Sequence, residues 1–331
     1  MLYRFNREKD IAYASLLYTF IVFFFYFGMF AISGIEYYRK AVIGEFVFLL
    51  LPALLFVELG VTRNKREFLR LNKVTLSNCI LIIMIIMFSL PLFGFINSVV
   101  YYIFSLIFGA IEVYSVPSPT GFRELLLSLI ALALVPAVCE EFLFRGVMQG
   151  IFRRHGHIFA VLFSAGLFSL LHLDIQRVIG IWLLGSLIGY IVYRANSLYA
   201  GIIAHFAYNA LTVFISYIFI ETDDFSENGI TRITRESYSI FTDSESATII
   251  SSIIMIIIFS TIFFFLLSRF LRRTSAVKEL RIRTAFDRAA KGYLLLLPAI
   301  AFIVLLYVIQ SKVIIGGFEG FLNLLLPVLR F

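Results

Sequence analysis

The chain has 331 residues, of which 61% are hydrophobic and 15% charged, and its mean hydropathy is +0.95. Soluble globular chains are about 45–50% apolar and about 25% charged, so this excess is too large for one aqueous core to hide. A soluble enzyme, a DNA-binding domain and a secreted disulfide scaffold are excluded. Cys79 and Cys139 both lie inside apolar blocks and define neither a disulfide framework nor a Cys-based zinc site.

In chain order, apolar blocks occupy 11–33, 41–59, 74–90, 95–113, 124–152, 157–173, 177–193, 199–220, 248–267 and 292–311. A bilayer-spanning helix needs about 20 such residues. The expected fold is all-α: a polytopic integral membrane helix bundle with about eight to ten membrane helices. Arg4, Arg7 and Lys9 precede the first block, but its apolar run is too long for a signal peptide, so it reads as a retained anchor. The last stretch, 314–331, is interrupted by Gly316, Gly317, Gly320 and Pro327 and reads as interfacial.

The net charge of +7 is unevenly placed. The segment 269–291 carries eight basic residues against Glu279 and Asp287, and 63–73 carries five against Glu67. Between spans, such runs mark the cytoplasmic side. The segment 221–247 is rich in Asp and Glu and falls outside. An even number of crossings must then separate 63–73 from 269–291, yet seven blocks lie between them. Pro91, Gly94 and Asn97 interrupt 74–113, which is expected to give one crossing plus an interfacial or re-entrant piece. The organisation expected is N-terminal membrane helices over 1–122 and core helices over 123–220. An acidic extracytoplasmic loop at 221–247 follows, then C-terminal helices over 248–331 with a basic cytoplasmic connector at 269–291.

A charged side chain at the centre of a membrane helix costs about 2.5–3.5 kcal/mol on insertion scales. Three places between 124 and 220 accept that cost. In Cys139-Glu140-Glu141-Phe142-Leu143-Phe144-Arg145, Glu141 and Arg145 are four apart and share a helix face, so they pair. Glu140 projects about 100° away and has no partner on its own helix. His172 ends the apolar run of Phe168-Ser169-Leu170-Leu171; a histidine there also fits an interfacial bond to a backbone carbonyl. His205 and Asn209 share a face four apart, where inter-helix hydrogen bonding is the plainer alternative. His155 and His157 flank Gly156 beside Arg153 and Arg154 and read as a solvated turn.

Three polar clusters on successive helices can meet in one interior. A carboxylate or imidazole can take a proton from water. An imidazole and a carboxamide can donate to a developing oxyanion. No serine or cysteine has a base at a recognisable spacing, so water is the simplest nucleophile.

The order EExxxR, FxxxH, HxxxN resembles the CPBP intramembrane proteases, the family of type II CaaX prenyl proteases and of bacteriocin-processing and immunity proteins. The motifs here are Glu140 to Arg145, Phe168 to His172, and His205 to Asn209, so the resemblance covers about a third of the chain. It implies that Glu140 and His172 activate water and that His205 and Asn209 stabilise the oxyanion. It also implies that Glu141 with Arg145 fixes the helix carrying Glu140. The implied activity is an intramembrane endopeptidase acting on a membrane-associated or lipid-tailed peptide or protein. A non-catalytic scaffold, immunity or regulatory protein is the alternative, and a proton-coupled transporter the third.

No cofactor is expected. Zinc remains possible on Glu140, His172 and His205, although no HExxH spacing is present. The expected partners are a membrane peptide or protein substrate and the lipid bilayer, with no nucleic acid. A homodimer is possible through the GxxxG patterns at Gly146–Gly150 and Gly185–Gly189, although packing within the chain is preferred. The expected location is a bacterial cell membrane. Ideal straight helices would leave His172 and His205 about 10–15 Å apart in depth. A shared site therefore needs the 173–177 connection to dip into the membrane, with Asp174, Gln176 and Arg177 lining its entrance.

Overall fold

A backbone in hydrocarbon must satisfy its hydrogen bonds internally, and long apolar runs do this as helices. A computed structural model of the chain describes residues 9–61, 64–108, 111–114, 118–218, 230–233, 246–274 and 291–314. Helix α1 is Lys9–Ala31, α2 runs over 37–61, and α3 is the short turn Lys65–Phe68. Helix α4 is Leu76–Phe108, α5 is Phe122–Phe152, α6 is His157–Leu171, α7 is Val178–Ala195 and α8 is Leu198–Ile218. Helices α9, Ser246–Arg273, and α10, Leu297–Ile314, follow. Among the described residues, 8 helices are long and apolar enough to cross a membrane, and α6 is a shorter apolar helix. The fold is thus the all-α polytopic bundle expected. To it the structure adds a small antiparallel ribbon, in which β1, Ile111–Tyr114, pairs with β2, Ile230–Ile233.

The 74–113 stretch differs from expectation. It forms one continuous 33-residue helix, α4, with Pro91 inside it. Proline removes one backbone donor, but a long apolar helix flanked by others tolerates the gap. The two blocks therefore make one crossing, with no separate re-entrant piece. Six helices, α4 to α9, lie between the two basic segments, five of them long and apolar enough to span and α6 shorter.

Contacts between connections agree with that path. Leu198 N donates to Arg70 O, Asn72 Nδ2 to Asn196 O, and Arg194 to the carbonyls of Leu271 and Thr274. These contacts gather 70–72, 194–198 and 271–274 at one end of the bundle, and β1 with β2 join two connections at the other. The acidic segment 221–247 lies outside the described residues apart from β2 and the start of α9. The basic segment is described only at 269–274 and 291, and 315–331 lies outside.

Two apolar cores flank the middle helices. One joins α1, α2, α5, α6 and α10 through Ile21, Leu49, Phe144, Phe168 and Ile303. The other joins α4, α7, α8 and α9 through Ile82, Ile188, Ala204 and Phe270. Along α9, Ile250, Ile253, Ile257 and Phe264 stay exposed, as a face turned to lipid should. The turn around Gly156 is less solvated than expected, because His157 stacks on Tyr193 at 4.1 Å and His155 packs against Phe159 and Tyr293.

Candidate active site

Helix α5 carries two wide turns, Leu129–Leu134 and Phe142–Met148, on either side of the regular stretch Val135–Glu141. Such π-turns inside α-helices gather at functional sites because they re-aim side chains. Pro136 has no N–H to offer the Leu132 carbonyl, which would be its i−4 partner. Asn209 of α8 supplies the missing donor, with Nδ2 at 3.2 Å from Leu132 O. Asn209 therefore ties α8 to α5 at the start of the glutamate-bearing turn.

Glu141 and Arg145 pair as their spacing requires, at 3.0 Å with both side chains fully buried. Arg145 also donates from Nη2 to Gly185 O at 2.9 Å, and its guanidinium lies 4.6 Å over the Phe168 ring. One turn on, Gln149 Nε2 donates to Gly189 O at 3.0 Å. The two glycines of α7 admit these side chains, since a Cβ on Gly185 would lie 3.2 Å from Arg145 and one on Gly189 3.0 Å from Gln149. The GxxxG pattern of α7 is thus filled from within the chain. So is that of α5, where Gly146 faces Leu69 and Gly150 faces Phe68.

His205 stands between the two glutamates. Its Nδ1 lies 3.0 Å from Glu141 Oε1, and its Nε2 lies 3.6 Å from Glu140 Oε2, too long for a hydrogen bond. A buried carboxylate on Nδ1 fixes that nitrogen as the donor and leaves the lone pair of a neutral ring on Nε2. His205 Nε2 can then accept a proton in the gap beside Glu140, and it donates there only as an imidazolium. Glu140 and His205 are 8% and 3% exposed, so this gap is shielded from solvent.

Phe168 is the hub between the two histidines. Its ring lies 5.7 Å from His205 and 4.5 Å from His172. His172 caps the end of α6, with Nδ1 at 2.9 Å from Phe168 O, which leaves Nε2 as the free face of a neutral ring. Unlike His205, the His172 residue is exposed. Among the described residues, no direct hydrogen bond or ion pair joins it to Glu140.

The depth difficulty resolves in the length of α6. Its 15 residues rise only about 22 Å at about 1.5 Å each, short of a hydrocarbon core of about 30 Å, so the connection after it stays within the membrane's thickness. Leu173 turns the chain with φ +47°. Tyr18 and Tyr26 of α1 donate to the carbonyls of Leu167 and Leu171, which satisfies helix-end acceptors in an apolar place. Asp174 and Arg177 pair across the turn, and Arg177 interacts electrostatically with Tyr101 of α4 and Tyr208 of α8. Gln176 is packed inside at 4% exposure, so the expected polar lining reduces to the Asp174–Arg177 pair.

Spacing missed one acidic neighbour. Glu45 lies on the wide turn Gly44–Leu50 of α2, which packs against the Val135–Glu141 stretch of α5 that carries Glu140. Glu45 stands inside the apolar block 41–59, so the cost of a charged side chain in a span was the signal that marks it. Among the described residues, no group of three or more His, Cys, Asp or Glu side chains is arranged to hold a metal ion. His205 turns both ring nitrogens to glutamates, and His172 commits Nδ1 to a carbonyl.

The fold and this cluster define an integral membrane helix bundle with a buried glutamate–histidine centre. Residues 122–211 match the model of the family described as type II CAAX prenyl endopeptidase Rce1-like. The matched segment carries Glu140, His172, His205 and Asn209, and through it the chain is similar to that family. No curated protein and no solved structure matches it.

Proposed function

We propose that this protein is an intramembrane endopeptidase that hydrolyses a peptide bond in a membrane-associated or lipid-tailed peptide or protein, in a bacterial cell membrane. The observation that carries the reading is the gap between Glu140 Oε2 and His205 Nε2, 3.6 Å wide and buried within the segment that matches a protease family. An apolar substrate reaches such a site between helices, and its scissile amide meets water held there.

In this reading Glu140 takes a proton from the water as its oxygen bonds to the carbonyl carbon. The proton passes to the amide nitrogen as the C–N bond breaks. His172, packed edge-on against Phe168 and with its Nε2 free, holds the water or the substrate backbone. His205 donates to the oxyanion from Nε2 in its imidazolium form, with Nδ1 held by Glu141. Asn209 has one amide hydrogen on Leu132 O and a second left to donate.

The test is cleavage of a farnesylated CaaX-type peptide by purified protein, alongside mass spectrometry of membrane peptides from cells. Glu140→Ala is expected to lower turnover by about 10²–10⁴-fold, the usual worth of a general base, while the protein still accumulates in the membrane. Peptide profiles unchanged between wild type and Glu140→Ala, with the cellular function retained, would turn the assignment toward a scaffold or regulatory protein.

A further inference from the structure

We propose that Arg177, aimed by Asp174 and held beside the turn that presents His172, receives the C-terminal carboxylate of the peptide substrate and so sets which chain ends the site accepts. The role rests on the peptidase reading; the open edge of the guanidinium is a feature of the fold.

The connection from α6 to α7 folds back on itself. His172 ends α6, Leu173 reverses the chain at φ +47°, and α7 begins at Val178. Ser169 Oγ donates to Val178 O at 2.5 Å, which ties the first residue of α7 to the last turn of α6. Arg177, immediately before Val178, is thereby kept beside the turn that carries His172. A guanidinium within the thickness of the bilayer is costly, and as a rule such a group marks a functional site.

The guanidinium is also aimed. Asp174 Oδ1 accepts the backbone N–H of Arg177 at 3.0 Å, and Asp174 Oδ2 accepts Nε–H. Both carboxylate oxygens are engaged by one residue, which fixes the plane of the fork. An arginine offers two donor edges, Nε with one Nη and the two Nη together. Asp174 meets the first through Nε. Among the described residues, no hydrogen bond or ion pair takes the Nη–Nη edge of Arg177. That edge is accessible, since 39% of the Arg177 side chain is exposed. Arg145, by contrast, is fully buried and spends its fork on Glu141 and Gly185. Two parallel N–H donors match a carboxylate that binds through both oxygens.

A peptide chain end is the anion that fits this place. A peptide that resides in or on a membrane is mostly apolar, and the negative charge it carries whatever its sequence is its C-terminal carboxylate. In the reading above, His172 holds the water or the backbone at the scissile bond, and Arg177 stands next along the same turn. A carboxylate on the Nη edge anchors the peptide by its end, and the amide presented to Glu140 lies upstream of it. No bond forms or breaks at Arg177; the contact is a charge-assisted pair of hydrogen bonds.

The test compares two farnesylated CaaX-type peptides of one sequence, one ending in a free carboxylate and one in a primary amide, on purified full chain in phosphatidylcholine nanodiscs. Wild type is expected to favour the acid by about tenfold or more in kcat/KM, chiefly through KM. Arg177→Gln is expected to erase that preference, and Arg177→Lys to restore part of it, because an ammonium keeps the charge without the fork. Equal cleavage of acid and amide by wild type overturns the proposal, as does a wild-type preference retained in Arg177→Gln. Equilibrium binding of the same peptides to Glu140→Ala protein separates the two readings. A binding preference for the acid that needs Arg177, with no cleavage by wild type, ends the peptidase reading and leaves the carboxylate site standing. Nanodiscs doped with phosphatidylglycerol supply the last arm. Thermal stabilisation by that lipid which needs Arg177, with no preference between acid and amide, would make the guanidinium a lipid-phosphate anchor and overturn the proposal.

Discussion

Arg145 holds more of this site than any other side chain. It neutralises Glu141, caps the Gly185 carbonyl and lies over Phe168, all with no exposure of its charge. Removing one member of a buried ion pair leaves the other charged and unsolvated, at a cost of about 3–5 kcal/mol. Arg145→Met is therefore expected to lose about that much stability, and Arg145→Lys to recover the charge but not the hold on Gly185. Thermal unfolding in detergent measures both; a melting curve for Arg145→Met that overlies wild type would contradict the account. Sequence spacing found this pair, because four residues on a helix share a face. It could not find that His205 joins Glu141 and not a substrate oxygen in the resting site, because that contact links residues 64 positions apart. Glu45 was legible as a charge in an apolar block, but its relation to Glu140 belongs to packing alone.

Among elements, α8 and α7 approach α5 closely because glycines stand where side chains would collide. A Cβ on Gly201 would lie 2.7 Å from Glu141 Oε2 and 2.6 Å from Val192. Gly201→Ala must push Glu141 away from Arg145 and His205, and overpacking of this kind costs about 1–3 kcal/mol. The expected result is lower stability together with lower turnover, measured by thermal unfolding and peptide cleavage. A variant with both at wild-type level would show that the carboxylate yields without consequence. The wide turns of α2 and α5 were not legible beforehand. They leave composition and apolar periodicity almost unaltered, and only the backbone path shows that both converge on the glutamates. Pro136 did carry a visible signal, since a proline in a span frees a carbonyl, but the residue that answers it, Asn209, lies on another helix.

For the whole molecule, the packing of connections fixes which ends lie together. Cysteines placed at 72 and 196 are expected to react with a membrane-impermeant maleimide from one face, and cysteines at 112 and 231 from the other, in a background lacking Cys79 and Cys139. Labelling of 72 and 231 from the same face would refute the path through α4 to α9. By itself the sequence determined the membrane class, the helical fold, the identity of the Glu141–Arg145 pair and the candidate set Glu140, His172, His205 and Asn209. It could do so because burying charge in lipid is costly enough to make each exception visible. The tertiary structure alone decided that 74–113 is one helix and that α6 is short enough to leave His172 within the bilayer's thickness. It also decided that the turn of α2 carrying Glu45 packs against the stretch of α5 carrying Glu140. Those facts depend on how helices lean on one another across the bundle, and side-chain contacts between distant segments leave no trace in local composition.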